Sequence, residues 1–336
     1  MTLKVLVTPR TFGKSDPVPL TMLEEAGYEI ITNPYGRTLS EDEMVQLVQD
    51  VDGVIVGLDP INRRVLDHGL RLKAISKYGV GVNNIDVDYA SRKGIIVTNT
   101  PGANSAAVAE LTLGLLMAAC RRICVSDRGI RQGKWAQYPG LQLEGKTIGI
   151  IGTGQIGKQV AERAIGLRMA VVCNDIHPDH DWARQVGATY VSLPKLLCCS
   201  DFVSLHIPLE DETYHLMSAE QFAKMKPSAV LVNTARGGIV DESALYNALI
   251  HNQIAGAALD VFECEPPDGS PLLTLDNVVM TSHIGAHTQE AVENMGRMAA
   301  ANLLQCLKGL IPRYIVKAIS DGGEADATLN QNASAC

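Results

Sequence analysis

At 336 residues the chain is longer than one hydrophobic core usually organises, which predicts two domains. Apolar residues at 46% against 20% charged exclude disorder over most of the length, and a formal charge of −8 leaves no basic surface for nucleic acid or an anionic membrane. The eight cysteines lack CxxC spacing and Cys198-Cys199 are adjacent, so reduced thiols, no zinc site and no disulfide framework are expected.

No run approaches the ~20 apolar residues of a membrane span, and Pro9-Arg10 ends the first apolar run too early for a signal peptide, so a soluble cytoplasmic protein is expected. Residues 4–8 read as a strand, 20–26 as a helix and 28–32 as a strand. Ser40-Glu41-Asp42-Glu43 has the form of a capping box that opens the next helix. Strands at 53–56, 74–76 and 95–98 follow, with helices near 65–66 and 87–93, an alternation that implies a parallel sheet covered by helices. The longer helical segment 103–124 is expected to bridge to a second alternating series, with strands at 147–151, 170–174, 202–205, 229–233, 255–259 and 278–281. Residues 288–307 regain helical period and are expected to cross back. The predicted fold is therefore α/β, with two flavodoxin-like or Rossmann-like domains built on parallel sheets and linked by two long hinge helices. One domain would comprise 1–101 and 288–319 and the other 102–287, and the small polar segment 320–336 is expected to be disordered.

Gly152-Thr153-Gly154-Gln155-Ile156-Gly157 fits GxGxxG after an apolar strand and before the helical stretch 158–167. Gly152 would allow the tight turn, Gly154 the close approach of a pyrophosphate, and Gly157 the packing of helix on strand. Such a motif alone is often an ordinary glycine turn. Asp175 adds to it, because it ends the next strand about 20 residues on, where a carboxylate accepts from the adenine-ribose hydroxyls. A phosphate on that ribose would meet the Asp175 charge with no nearby Arg to compensate, so NAD is favoured over NADP.

A dinucleotide site implies hydride transfer, and hydride transfer to a carbonyl carbon needs a proton donor at the oxygen, with a fixed cation where the substrate is an anion. Any one of the eight histidines is more often a surface or core residue than a catalyst. His283, however, follows the strand 278–281 and should emerge at the carboxyl edge of the sheet, where open α/β sheets bind ligands. Arg236 stands likewise after 231–234 and before Gly237-Gly238. Glu263 and Glu265 follow the strand 255–259 as candidate partners for the imidazole.

Asn233-Thr234-Ala235-Arg236-Gly237-Gly238, Asp260-Val261-Phe262-Glu263-Cys264-Glu265-Pro266 and Ser282-His283-Ile284-Gly285-Ala286, occurring in that order, resemble the D-isomer-specific 2-hydroxy-acid dehydrogenases. The resemblance covers residues 4–319, and within the family the chain looks most like short D-3-phosphoglycerate dehydrogenases without a regulatory extension. It implies an NAD-dependent homodimer with a substrate domain from 1–101 and 288–319 and an NAD-binding domain from 102–287. The family's arginine falls on Arg236, its acid/base histidine on His283 and its orienting glutamate on Glu265, which leaves Glu263 structural. Cofactor contacts would fall on Tyr78, Gln155, Ile156, Asp175, Ile207, Thr234, Ala235, Arg236, Asp260, His283, Gly285 and Ala286, although Tyr78, Ile207 and Asp260 equally suit packing or turn roles.

The substrate loop implied is 77–86, with Lys77 and the N–H groups of Val80 and Gly81 facing a carboxylate. Asn104 is a further substrate contact or an N-terminal helix cap. Asn83 stands where the family usually has Asp. Phosphoglycerate enzymes usually carry an Arg-Ser pair after the third strand, where this chain has Gly57-Leu58-Asp59-Pro60. Lys77, Arg63 and Arg64 are the alternative cations, although an Arg-Arg pair on a helix more often faces solvent. Glyoxylate, hydroxypyruvate and other anionic 2-keto acids therefore stand beside 3-phosphoglycerate as candidates. The family also resembles NAD-responsive corepressors, which are binding proteins first, so turnover and partner binding are the discriminating observables.

Overall fold

The computed structural model describes residues 2–316; the expectation for 320–336 lies outside them. Five strands, β1 (Lys4–Val7), β2 (Glu29–Thr32), β3 (Gly53–Val56), β4 (Ala74–Lys77) and β5 (Ile96–Thr98), form a parallel sheet in the order β2-β1-β3-β4-β5. Seven more, β6 (Thr147–Ile151), β7 (Ala170–Asn174), β8 (Thr189–Tyr190), β9 (Phe202–Leu205), β10 (Val230–Asn233), β11 (Gly256–Leu259) and β12 (Val278–Met280), form a second parallel sheet in the order β12-β11-β10-β9-β6-β7-β8. Every residue of β3, β4, β9, β10 and β11 is buried, the pattern of strands covered on both faces.

Alternation of side chains divides each sheet between two cores. In the first sheet Leu6, Val54, Val56 and Ile75 pack on one side, and Val5, Val7, Ile55 and Ala74 on the other. The helix Gln289–Leu307 covers the latter face: Ser76 Oγ donates to Ala299 O at 2.9 Å, and Leu303 lies against Gly53. Beyond it Ile315 bridges antiparallel to Thr98 at the edge of the same sheet. The predicted crossing back is therefore a packing requirement of the first sheet. The capping box is present as read, with Glu43 N–H donating to Ser40 Oγ and Ser40 N–H to Glu43 Oε2.

The expected helix over 103–124 is two helices, Ser105–Cys120 and Ile123–Arg131, joined where Arg122 takes a left-handed φ of 52°. No Gly or Pro marks the break. It occurs because residues 140–141 pass over the end of the first helix and Leu141 N–H takes the carbonyl of Cys120 at 2.9 Å. Ser105–Cys120 itself is packed into the second unit, with Leu113, Leu115 and Leu116 in its core, and it touches Gln289–Leu307 between the sheets.

Both sheets have a point where adjacent strands depart to opposite sides, β1/β3 in the first and β6/β9 in the second. Open α/β sheets bind ligands outside the carboxyl ends of the strands at such points. Here the two carboxyl edges face a shared cleft of about 1380 Å³.

Candidate active site

The loop after β6 is shaped for a close-approaching ligand. Gly152 has φ 90°, and a Cβ there would lie 2.5 Å from the His206 carbonyl just past the carboxyl end of β9. One at Gly157 would run into Gly152 O, so strand and helix touch through bare backbone. Gly154 is the N-cap of the helix Gln155–Gly166 and has open space where a side chain would stand, which leaves the N-terminal amides accessible to an anion. Gln155 turns its side chain toward Gly102 and Ser105, whose hydroxyl lies 3.4 Å from Oε1.

Asp175 follows β7 and is folded toward this loop, accepting from Thr153 N–H at 2.6 Å, from Thr153 Oγ1 at 2.9 Å and from His177 N–H at 2.8 Å. Partial burial works to raise its pKa, but these donors outweigh that and hold the carboxyl below its ordinary value. No Arg or Lys pairs with Asp175 among the described residues. The bare-backbone cradle and an unneutralised carboxylate one strand away fit a dinucleotide with a free adenosine ribose. Gly152, Gly154, Gln155, Gly157 and Asp175 lie along the sheet edge beyond the cleft proper, whereas Ile156, Ile207, Thr234, Ala235, Asp260, Gly285 and Ala286 line it.

The catalytic candidates converge in the cleft. His283 Nδ1 is 2.7 Å from Glu265 Oε2, and Nε2 has no partner among the described residues. The His283 backbone is held at φ 53°, a left-handed conformation that few non-glycine residues adopt. Asp260 holds it there: its carboxylate accepts from Thr281 Oγ1, Ile284 N–H and Gly285 N–H at 2.6 to 2.8 Å, and its carbonyl accepts from His283 N–H. Asp260 is 1% exposed with both oxygens engaged, which agrees with the turn role of the two read for it. Burial works to raise the pKa of Glu265, but the hydrogen bond and charge of His283, Phe262 N–H and the Arg236 charge outweigh it and keep the carboxyl low. Glu263 accepts instead from Glu242 N–H and lies 3.1 Å from His215 Nε2, outside this pair.

Arg236 emerges after β10, its carbonyl held by Asn233 Nδ2 at 2.8 Å. Nη1 donates to Ala235 O and Nε to Asn83 Oδ1 at 3.3 Å, while Asn83 Nδ2 donates to Leu209 O at 3.1 Å. Asn83 thus bonds across the cleft to two segments of the second unit. The guanidinium lies directly over Gly81, where any Cβ would collide with it. Val80 and Gly81 N–H groups donate to no acceptor among the described residues, and both residues line the cleft. Lys77 is 4% exposed and donates to Gly57 O and to Asn84 Oδ1; burial first, then the Arg236 charge, push its ammonium down to about 7.

Other expected residues are placed differently. Tyr78 OH is 3.2 Å from Thr11 Oγ1 and donates to Val292 O, so its hydroxyl serves packing at the cleft wall. Thr234 Oγ1 is bonded to Thr112 Oγ1 at 2.8 Å, leaving its backbone to face the cleft. Asn104 takes the N-cap position but makes no capping bond, and its Oδ1 is a buried acceptor without a partner, on a residue lining the cleft. Arg63 is paired with Asp86, and Arg64 with Glu41 and Asp42, all away from the cleft, as a solvated pair would be. His206 and His287 were not singled out by sequence, yet both line the cleft. Burial drives His206 down to about 3, so it is neutral near pH 7. Burial and the charge of His283 hold His287 below its ordinary value.

Two doubly wound parallel units around a cleft, with a glycine-loop cradle on one and an imidazole–carboxylate pair beside a half-buried arginine, define a dinucleotide-dependent oxidoreductase. The family model for the NAD binding domain of D-isomer specific 2-hydroxyacid dehydrogenases matches residues 113–285. The chain is 45% identical to a glyoxylate reductase of Korarchaeum cryptofilum, over 88% of this chain and 93% of that protein. It is 41% identical to a D-3-phosphoglycerate dehydrogenase of Methanocaldococcus jannaschii over 93% of this chain but only 59% of that longer protein. Among solved structures, the TT0316 protein of Thermus thermophilus superposes with a TM-score of 0.85 at 38% identity, over 94% of this chain and all of that one. The chain belongs to the D-isomer specific 2-hydroxyacid dehydrogenase family, and it is an NAD-dependent oxidoreductase of that family.

Proposed function

We propose that the protein transfers hydride between NAD(H) and carbon 2 of a small anionic 2-keto acid, giving the D-2-hydroxy acid, with His283 as the proton donor and acceptor. The observation that carries this is the 2.7 Å His283–Glu265 pair, which leaves Nε2 free in the cleft. Bound NAD supplies or accepts the hydride; the side chains do the rest. Arg236 and the N–H groups of Val80 and Gly81, which have no acceptor among the described residues, hold the substrate carboxylate, and Lys77 stands behind them, adding charge only below about pH 7. Glu265 orients the imidazole and stabilises its protonated form, and Asn104 Oδ1 accepts from a bound hydroxyl or amide. The region 102–287 carries the NAD side of the cleft, and 1–101 with 288–319 the substrate side.

With NADH and a 2-keto acid, His283→Ala should lower kcat by about 10² to 10⁴, the range for a positioned acid/base group, while NADH binding followed by fluorescence is retained. Unchanged kcat would remove His283 from the reaction. Relatives named glyoxylate reductase and D-3-phosphoglycerate dehydrogenase both support an anionic 2-keto acid, and Arg63 and Arg64 are paired away from the cleft, so neither is the cation that would select a distal phosphate. We also infer that two copies pair through residues 123–138, where Ile123, Ile130, Trp135 and Tyr138 are all exposed.

A further inference from the structure

The cleft does not end at Arg236. It continues to the carboxyl edge of the first sheet, where Pro9 and Arg10 emerge beyond β1, and Gly57, Leu58 and Asp59 beyond β3. β1 and β3 are the switch point of that sheet, a ligand position by the same rule that places the glycine loop at the switch point of the other. The groups assigned above leave this end of the cavity unused.

Arg10 is the only arginine lining the cleft, besides Arg236, that has no carboxylate partner among the described residues; it donates to Gly36 O at 3.2 Å. Arg37 also lines this end but is held by Glu43 through two hydrogen bonds of 2.8 and 2.6 Å. The nearby carboxylate, Asp59, is 3% exposed and spent, since it accepts from Thr8 Oγ1 and from Leu39 N–H at 2.7 Å. Lys14 lines the same end.

The loop carrying Arg10 is anchored. Thr11 is bonded to Tyr78, which is bonded to the Val292 carbonyl, and Phe12, 5% exposed, packs edge-on against the Tyr78 ring. The support fixes where the Arg10 backbone emerges, while its exposed guanidinium stays free to turn from Gly36 O toward an anion in the cleft. Arg10 stands near enough to His287 that its charge adds, after burial and the charge of His283, to what holds that imidazole below its ordinary value. Beside Arg236, the position the family usually gives to Asp is the neutral Asn83, so no carboxylate there opposes an anionic ligand.

We propose that this end of the cleft is a second anion subsite, in which Arg10 receives the distal carboxylate, sulfonate or phosphate of a dianionic 2-keto acid while Arg236 takes the carboxylate beside the reacting carbon. The proposal rests on the 2-keto-acid reading above and narrows its substrate class. A singly charged acid such as glyoxylate then occupies only half of the site.

The test is steady-state NADH oxidation by the full chain with glyoxylate and pyruvate as singly charged acids, and with 2-oxoglutarate, sulfopyruvate and phosphohydroxypyruvate as acids at least doubly charged through a second, distal anionic group. The best doubly charged acid should exceed the singly charged ones in kcat/KM by about tenfold or more, and which of the three leads identifies the distal group. Arg10→Gln should cut that ratio by about ten- to a hundredfold, mainly through KM, as for loss of a charged hydrogen bond. Arg10→Lys, which keeps the charge, should restore part of it. A ratio near one in the unmodified enzyme, or a ratio that Arg10→Gln leaves in place, overturns the subsite while leaving 2-keto-acid reduction intact. No turnover of any of the five acids overturns both.

Discussion

Lys77 shows how much of this site depends on residues forced together from distant positions. Its ammonium is buried against Gly57 O and Asn84 and lies near the Arg236 charge, which pushes its pKa from an ordinary 10.5 down to about 7. Between these two values the unfolded chain carries a proton that the folded chain lacks. Stability therefore rises with pH across that window and is flat below it as far as this group is concerned. Replacing Lys77 by Met should remove that slope, so the Tm of the unmodified protein should gain on that of the variant between pH 7 and pH 10. Parallel Tm curves would show that Lys77 is ionised in the folded state throughout. His283, Arg236 and Asp175 were legible in the sequence because each stands within a few residues of the end of an apolar run, and a strand end fixes where a side chain emerges, whereas Glu265 was separated from Glu263 only by the family resemblance. The carboxylate of Asp260, the hydroxyl of Thr234 and that of Tyr78 were less so, because each is consumed by a partner at a distance in sequence. The cross-cleft bonds of Asn83 and the cleft positions of His206 and Arg10 had no local signal at all.

At the scale of elements, the strands were readable to within a residue or two, since parallel strands buried on both faces leave continuous apolar runs. The short β8 and the helix His180–Val186 were passed over, having too few apolar residues for a period to register. The single expected helix at 103–124 fails for a different reason, because its break at Arg122 is set by Leu141 returning over Cys120. That break has a consequence. It turns Ile123–Arg131 away from the core, and Ile123, Ile130 and Trp135, the last 88% exposed, face outward in one stretch. Such a stretch is costly in water, and the proposed pairing of two copies would cover it. Light scattering at micromolar concentration should give twice the chain mass, and the double variant Ile130→Glu, Trp135→Glu should give the single mass with the fold retained by circular dichroism. A monomer before substitution would contradict the pairing.

For the whole molecule, two sheets with their carboxyl edges turned to one cavity bring His283, Glu265 and Arg236 of the second unit and Val80 and Gly81 of the first into one cleft, with the glycine loop along the sheet edge beyond it. Neither sheet holds the set alone: His283, Glu265 and Arg236 follow strands of the seven-stranded sheet, and Lys77, Val80 and Gly81 stand at the edge of the five-stranded one. No helix among the described residues is long and apolar enough to cross a membrane. The proposed direct transfer of hydride between dinucleotide and carbon 2 is read by label transfer, which needs no assumption about rate-limiting steps. NADH carrying deuterium at the transferable position is incubated with pyruvate or hydroxypyruvate, and the product is examined for deuterium at carbon 2 and for chirality. Deuterium retained at carbon 2 of the D-2-hydroxy acid is the predicted result; an unlabelled product, or one of L configuration, would contradict it.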